Sequence, residues 1–117
     1  MTNTIKHFKC GDIEYPLAFT MNVIEKIQEK YGSYEKWGDM TDDKEKEVNI
    51  GALKFGITEM INEGIDIENE NLETKRIFLT PKQVGRIITE LGMKKLTDKV
   101  QETVIESTKN EEEEKNV

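Results

Sequence analysis

Reactive side chains are scarce in this sequence. Cys10 is the only cysteine and His7 the only histidine, which rules out an intramolecular disulfide, a Cys-rich zinc site and a His-pair metal site. The two lie three apart on one expected strand, where alternation turns them to opposite faces, so a Cys–His nucleophilic dyad has poor geometry. Phosphate-binding glycine loops and dinucleotide fingerprints are also missing. A β-like run does lead into an amphipathic helix within "KCGDIEYPLAFTMNVIEKIQEKYGSYEKW", but the join reads Phe19, Thr20, Met21, Asn22, with no glycine. The N-terminus lacks an apolar run long enough for a signal peptide, and no stretch approaches bilayer-spanning length. A cytoplasmic protein without membrane partners is expected, and neither enzymatic activity nor a bound cofactor.

Charge is plentiful and unevenly spread. The net charge is −7, with eleven acids against five bases over 37–80 and four against one over 111–117, whereas 81–110 carries six bases against four acids. A nucleic-acid backbone is repelled by the acidic parts and only weakly attracted by the rest, so binding by counterion release has little support. The excess carboxylates either serve solubility or face a basic partner. "DMTDDKEKE" offers Asp39, Asp42, Asp43 and Glu45, and "IDIENENLE" offers Asp66, Glu68 and Glu70. Both lack the glycine of a calcium loop. Asp42 and Asp43 read instead as acids at a helix N-terminus.

At 117 residues, 35% hydrophobic and 35% charged, the chain suits one domain with a modest core, over 1–109, followed by an acidic disordered tail at 110–117. The fold class expected is α+β and predominantly helical. An N-terminal β-hairpin (3–18) should pack on a bundle of about four or five helices, near 20–31, 33–38, 42–63, 81–91 and 93–108. Gly11-Asp12 suits a tight hairpin turn, and Ile13, Tyr15 and Leu17 alternate as one buried face of a strand. Pro16 confines that strand to a position with a free edge. Thr20 is a candidate N-cap, with Val23, Ile24, Ile27 and Tyr31 on one helical side and Gly32 as the stop. Thr41 opens the longest helical pattern, which ends before Gly64. Gly51 and Gly56 inside it mark either close approach of another element or two tolerated weak positions, each costing about 1 kcal/mol against alanine. Residues 64–79 break the period, and "IFL" is a short strand or an apolar lead-in. Thr80-Pro81 is a strong helix-start signal, and Gly92 closes the helix that follows.

With chemistry lacking, surfaces for protein partners remain. Tyr34 and Trp37 either anchor a partner or cap the core. Met93, Leu96, Val100 and Val104 form an apolar stripe near the chain end, a piece that either packs internally, docks on a partner or joins a homo-oligomer.

The layout resembles the tail assembly chaperones of long-tailed bacteriophages and related prophages. The residues that carry the likeness are "GDIEYPLAFTMNVIEKIQEKYGSYEKW", the later "LTPKQVGRIITELG" and the Glu/Lys/Asn-rich terminus. The resemblance implies a small, mostly helical protein of the bacterial host cytoplasm that binds the tape measure protein and tail tube subunits while the tail is built. It supplies no binding residues. Rival readings are a small acidic adaptor or regulator dimerising through its C-terminal helix, and an acidic inhibitor that mimics DNA.

Overall fold

Three helix starts are set by a Ser, Asn or Thr side chain that reaches the first unpaired N–H groups. The computed structural model describes residues 4–42 and 47–115, the last six by their backbone alone. Among these, two strands precede five helices: β1 (Ile5–Cys10), β2 (Ile13–Ala18), α1 (Met21–Tyr31), α2 (Tyr34–Thr41), α3 (Ile50–Asn69), α4 (Pro81–Leu91) and α5 (Met93–Lys115). The fold is α+β and predominantly helical.

The hairpin follows from its turn. Gly11 takes φ 63°, a left-handed value that glycine adopts without strain, and the two-residue loop sets Cys10 opposite Ile13, Phe8 opposite Tyr15 and Lys6 opposite Leu17. Opposed residues share a face, so Lys6 and Cys10 look one way and His7 and Pro16 the other. Lys6 meets Glu102 and Glu106 of α5, and the Cys10 thiol donates to Glu90 of α4 at 3.3 Å. On the opposite side His7 meets Glu68 at 2.7 Å and Pro16 lies on Gly64, both in α3. The ribbon is thus held between α3 and the α4–α5 pair. That explains a departure from the expected alternation: Tyr15, Pro16, Leu17 and Ala18 are all buried, while Ile13, placed on the core face by its spacing, is 51% exposed beyond the helices. Counting from the turn, Pro16 falls at a non-hydrogen-bonded pair, where its missing N–H costs the ladder nothing. The outward Glu14 carbonyl beside it accepts from Arg76 Nη1 at 3.1 Å, so a side chain closes the edge there.

Local signals set most helix ends. Gly32 and Gly92 stop α1 and α4 with φ 99° and 95°. Ser33 accepts from Lys36 N at 3.1 Å and opens α2. Thr80 and Gln83 form a reciprocal capping box ahead of Pro81, an arrangement worth about 1 kcal/mol. Thr20 stands at the N-cap of α1 without capping it, and its hydroxyl donates to the Glu63 carboxylate.

The third helix departs from the sequence reading at both ends. It starts at Ile50 and not 42, with Asn49 Oδ1 accepting from Ala52 N at 3.0 Å. Thr41, expected to open it, is the last residue of α2, and its hydroxyl donates to the Gly38 carbonyl at 3.1 Å. Asp42 is therefore the C-cap of α2 and not an acid at a helix N-terminus; Asp43 and Glu45 lie outside the described residues. At the other end, α3 runs through Gly64 to Asn69. A Cβ on Gly64 would stand 2.7 Å from Pro16 Cβ, so the glycine is a seat for the hairpin inside a continuing helix. The second short helix also extends beyond 38, to Thr41, and α5 carries helical backbone to Lys115, into the stretch assigned to a disordered tail.

One core joins these elements. Leu17 and Phe19 from the hairpin side meet Val23 and Ile27, Trp37, then Leu53, Ile57, Met60, Ile61 and Ile65 of α3, Val84 of α4, and Leu96 and Val100 of α5, all at most 3% exposed. Burial of each large aliphatic chain contributes about 1.5–3 kcal/mol.

Candidate functional site

Alpha-helix α2 is only eight residues long, and Trp37 is its one fully buried large side chain, with Tyr34 and Met40 packed half-buried against the core beside it. Trp37 lies over Gly56 of α3, its ring 6.5 Å from that of Phe19, and its indole N–H donates to the Ala52 carbonyl at 2.8 Å. A Cβ on Gly56 would come within 2.6 Å of the indole Cε2. Of the two glycines in question, Gly56 marks a close approach, and Gly51 meets nothing nearer than Asn49 Oδ1 at 3.5 Å.

This anchoring holds α2 beside α5 and leaves a groove of about 370 Å³ between them. Leu53 and Trp37 lie deep in it, Tyr34, Val100 and Val104 form its walls, and Glu35, Gln101 and Ile105 stand at its rim. Ile105 is 62% exposed. The Tyr34 ring meets Phe19 edge-on at 5.9 Å, so its wall is fixed from behind.

The sequence-derived partner residues divide on this geometry. Tyr34, Trp37, Val100 and Val104 are brought together in the groove, with Tyr34 and Val104 half-buried and Trp37 and Val100 buried at 3% and 2% exposure. Trp37 is thus core first, touching the groove only as its floor. Leu96, 1% exposed, borders a different hollow with Phe8 and Leu91, and half-buried Met93 at the start of α5 belongs to neither. The apolar stripe of α5 is mainly the side that packs inward. Ile105 was missed because it lies one residue beyond the stripe that Val104 completes; the paired β-branched residues Val104-Ile105, set among polar neighbours, were the available signal.

Cys10, Tyr31 and His7 each have local neighbours away from the groove. Burial pushes the Cys10 thiol above its ordinary pKa, and the Glu90 carboxylate adds to that shift. Burial likewise raises Tyr31, whose ring meets Phe55 edge-on at 5.7 Å. His7 and Cys10 face separate acids on opposite sides of the hairpin. Among the described residues no three His, Cys, Asp or Glu side chains are grouped to hold a metal, and no helix is long and apolar enough to cross a membrane. Comparison with family models, curated proteins and solved structures finds no match to this chain.

Proposed function

We propose that this chain is a non-enzymatic protein-binding factor, and by its resemblance a phage or prophage tail assembly chaperone that covers an apolar stretch of the tape measure protein, and tail tube subunits, in the host cytoplasm. The observation that carries the binding reading is the α2–α5 groove with exposed Ile105 at its lip. An apolar side chain left in water beside an apolar wall gains from any helix that covers both, at about 25 cal/mol for each Å² removed from water. The eight residues of α2 extend about 12 Å, matching roughly two turns of a client helix. Such a seat masks a client's apolar face until its own partner displaces the chaperone.

Co-expression with a tape measure fragment tests this. Soluble yield of the fragment should rise with the wild-type chain and fall back with Ile105→Asp, a surface change that leaves the helical circular-dichroism spectrum intact. Val100→Asp is unsuitable because Val100 is core. A fragment equally soluble with and without the chain contradicts the proposal. The same exposed isoleucine also favours an adaptor dimerising through α5; that reading predicts a concentration-dependent dimer in sedimentation, lost in Ile105→Asp.

A further inference from the structure

Between α3 and α4 the chain holds two large apolar side chains out in water. Ile77 is 88% and Phe78 52% exposed. The residues on either side are fastened to α3 by paired amide bonds. Asn69 accepts from Arg76 N at 2.9 Å and donates to Arg76 O at 3.1 Å, while Asn62 accepts from Leu79 N at 2.8 Å and donates to Leu79 O at 2.9 Å. The two asparagines are seven apart on the helix, about 10.5 Å. Three residues of polyproline-type chain cover about 9.3 Å and return to the same side, whereas in a flat strand residues three apart face opposite ways. The spacing therefore favours a three-residue twist, in keeping with the lack of a strand at "IFL", that brings Arg76 and Leu79 to the helix and leaves Ile77 and Phe78 exposed. No hydrogen bond holds the backbone groups of either residue among the described residues.

Phe78 also borders a trough of about 390 Å³ between α1 and α3, with Glu25, Glu59 and Asp66 on its walls beside Lys26. Among the described residues none of these three carboxylates is in a salt bridge. The nearby cations of the ridge are engaged elsewhere: exposed Lys75 donates to the Asn69 and Leu72 carbonyls, and the Arg76 guanidinium sits 5.5 Å over the Tyr15 ring. An apolar ridge fixed in place beside an acidic trough is complementary to a segment that presents apolar and basic side chains together. Because the ridge is already ordered, docking on it costs little further conformational entropy.

We infer that the Ile77–Phe78 ridge and its acidic trough form a second docking surface, for a segment of another protein that sets lysine or arginine beside apolar residues. It shares no lining residue with the α2–α5 groove, and it stands or falls apart from the chaperone reading.

The test is a titration of the labelled full chain with a short synthetic peptide of alternating lysine and leucine, followed by backbone amide shifts. Glu/Leu and Lys/Ser peptides serve as controls. Lys/Leu binding should shift amides near 59–66 and 75–80, and should weaken about tenfold, equivalent to about 1.4 kcal/mol, in Ile77→Ser/Phe78→Ser and in Glu59→Gln/Asp66→Asn. Asp39→Asn/Asp98→Asn, which removes the same charge elsewhere, should leave it within about twofold, in keeping with the short reach of screened surface charge. The inference is overturned if the Glu/Leu peptide binds equally, if the remote pair weakens binding as much as the trough pair, or if the ridge variant binds as the wild type does. Loss of self-association in sedimentation as the ridge variant's sole effect would assign the surface to a second copy and equally overturn it.

Discussion

Replacing Gly56 by alanine sets a methyl group against the Trp37 indole, 2.6 Å from Cε2 and 2.7 Å from Nε1. Both neighbours are confined: Trp37 is 3% exposed, stacked on Phe19 and bonded to the Ala52 carbonyl, and Gly56 sits inside α3. The ring must move, at an overpacking cost of about 1–3 kcal/mol. If the indole N–H loses its buried acceptor, about 1–2 kcal/mol more is lost. Alanine returns about 1 kcal/mol through helix propensity, leaving a net destabilisation of up to about 2 kcal/mol if the indole keeps its acceptor and about 1–4 kcal/mol if it does not. Gly51→Ala in the same helix is the matched control, since its new methyl meets nothing closer than Asn49 Oδ1 at 3.5 Å; it should be neutral or stabilising by up to about 1 kcal/mol. Urea unfolding followed by tryptophan emission reads both variants, because Trp37 is the only tryptophan. Gly56→Ala should lower the midpoint and shift native emission to the red as the indole loosens. A Gly56→Ala protein as stable as Gly51→Ala, with the native spectrum unchanged, refutes the docking of α2 through Trp37.

Asn62→Ala should cost about 1–2 kcal/mol by leaving the part-buried Leu79 N–H and C=O unpaired, with faster amide exchange at Leu79 in hydrogen-exchange measurements. Thr80→Ala should lower stability by about 1 kcal/mol through loss of the capping box, measured as a shift in the urea midpoint. The Cys10 thiol holds its proton to higher pH in the folded chain than in the unfolded one. Its contribution to stability is accordingly complete below the ordinary thiol value of about 8.5 and falls as pH rises past it. Alkylation by iodoacetamide should run slower than that of the urea-unfolded protein across this range, and equal rates would contradict the burial.

The parts of the fold that were legible in the sequence are those fixed by neighbours in the chain. Gly11-Asp12, Gly32, Thr80-Pro81 and Gly92 each act through their own turn or cap, and the structure uses all of them so. The start of α3 was not legible because Thr41 and Asn49 are both good caps; the choice follows from Val48 being buried and Asn49 N donating to the Met40 carbonyl. Its end was misread because Gly64 looks like a stop from one side and is a seat for Pro16 from the other, a contact across forty-eight residues of chain. The candidate site was half visible. Tyr34 and Val104 do border a groove, but period alone could not say that Leu96 and Val100 turn inward, since that depends on where the hairpin and α3 lie. Nor could the ridge at Ile77 and Phe78 be read, because the side chains that fix it are asparagines seven apart on another element.

The most direct measurement is a titration of the purified chain with a purified tape measure helix, following the emission of Trp37 at the groove floor. Occupation of the α2–α5 groove predicts a saturable change in that emission with the wild-type chain and none with Ile105→Asp at the same concentrations. An unresponsive wild-type signal, or identical curves for the two proteins, contradicts the account.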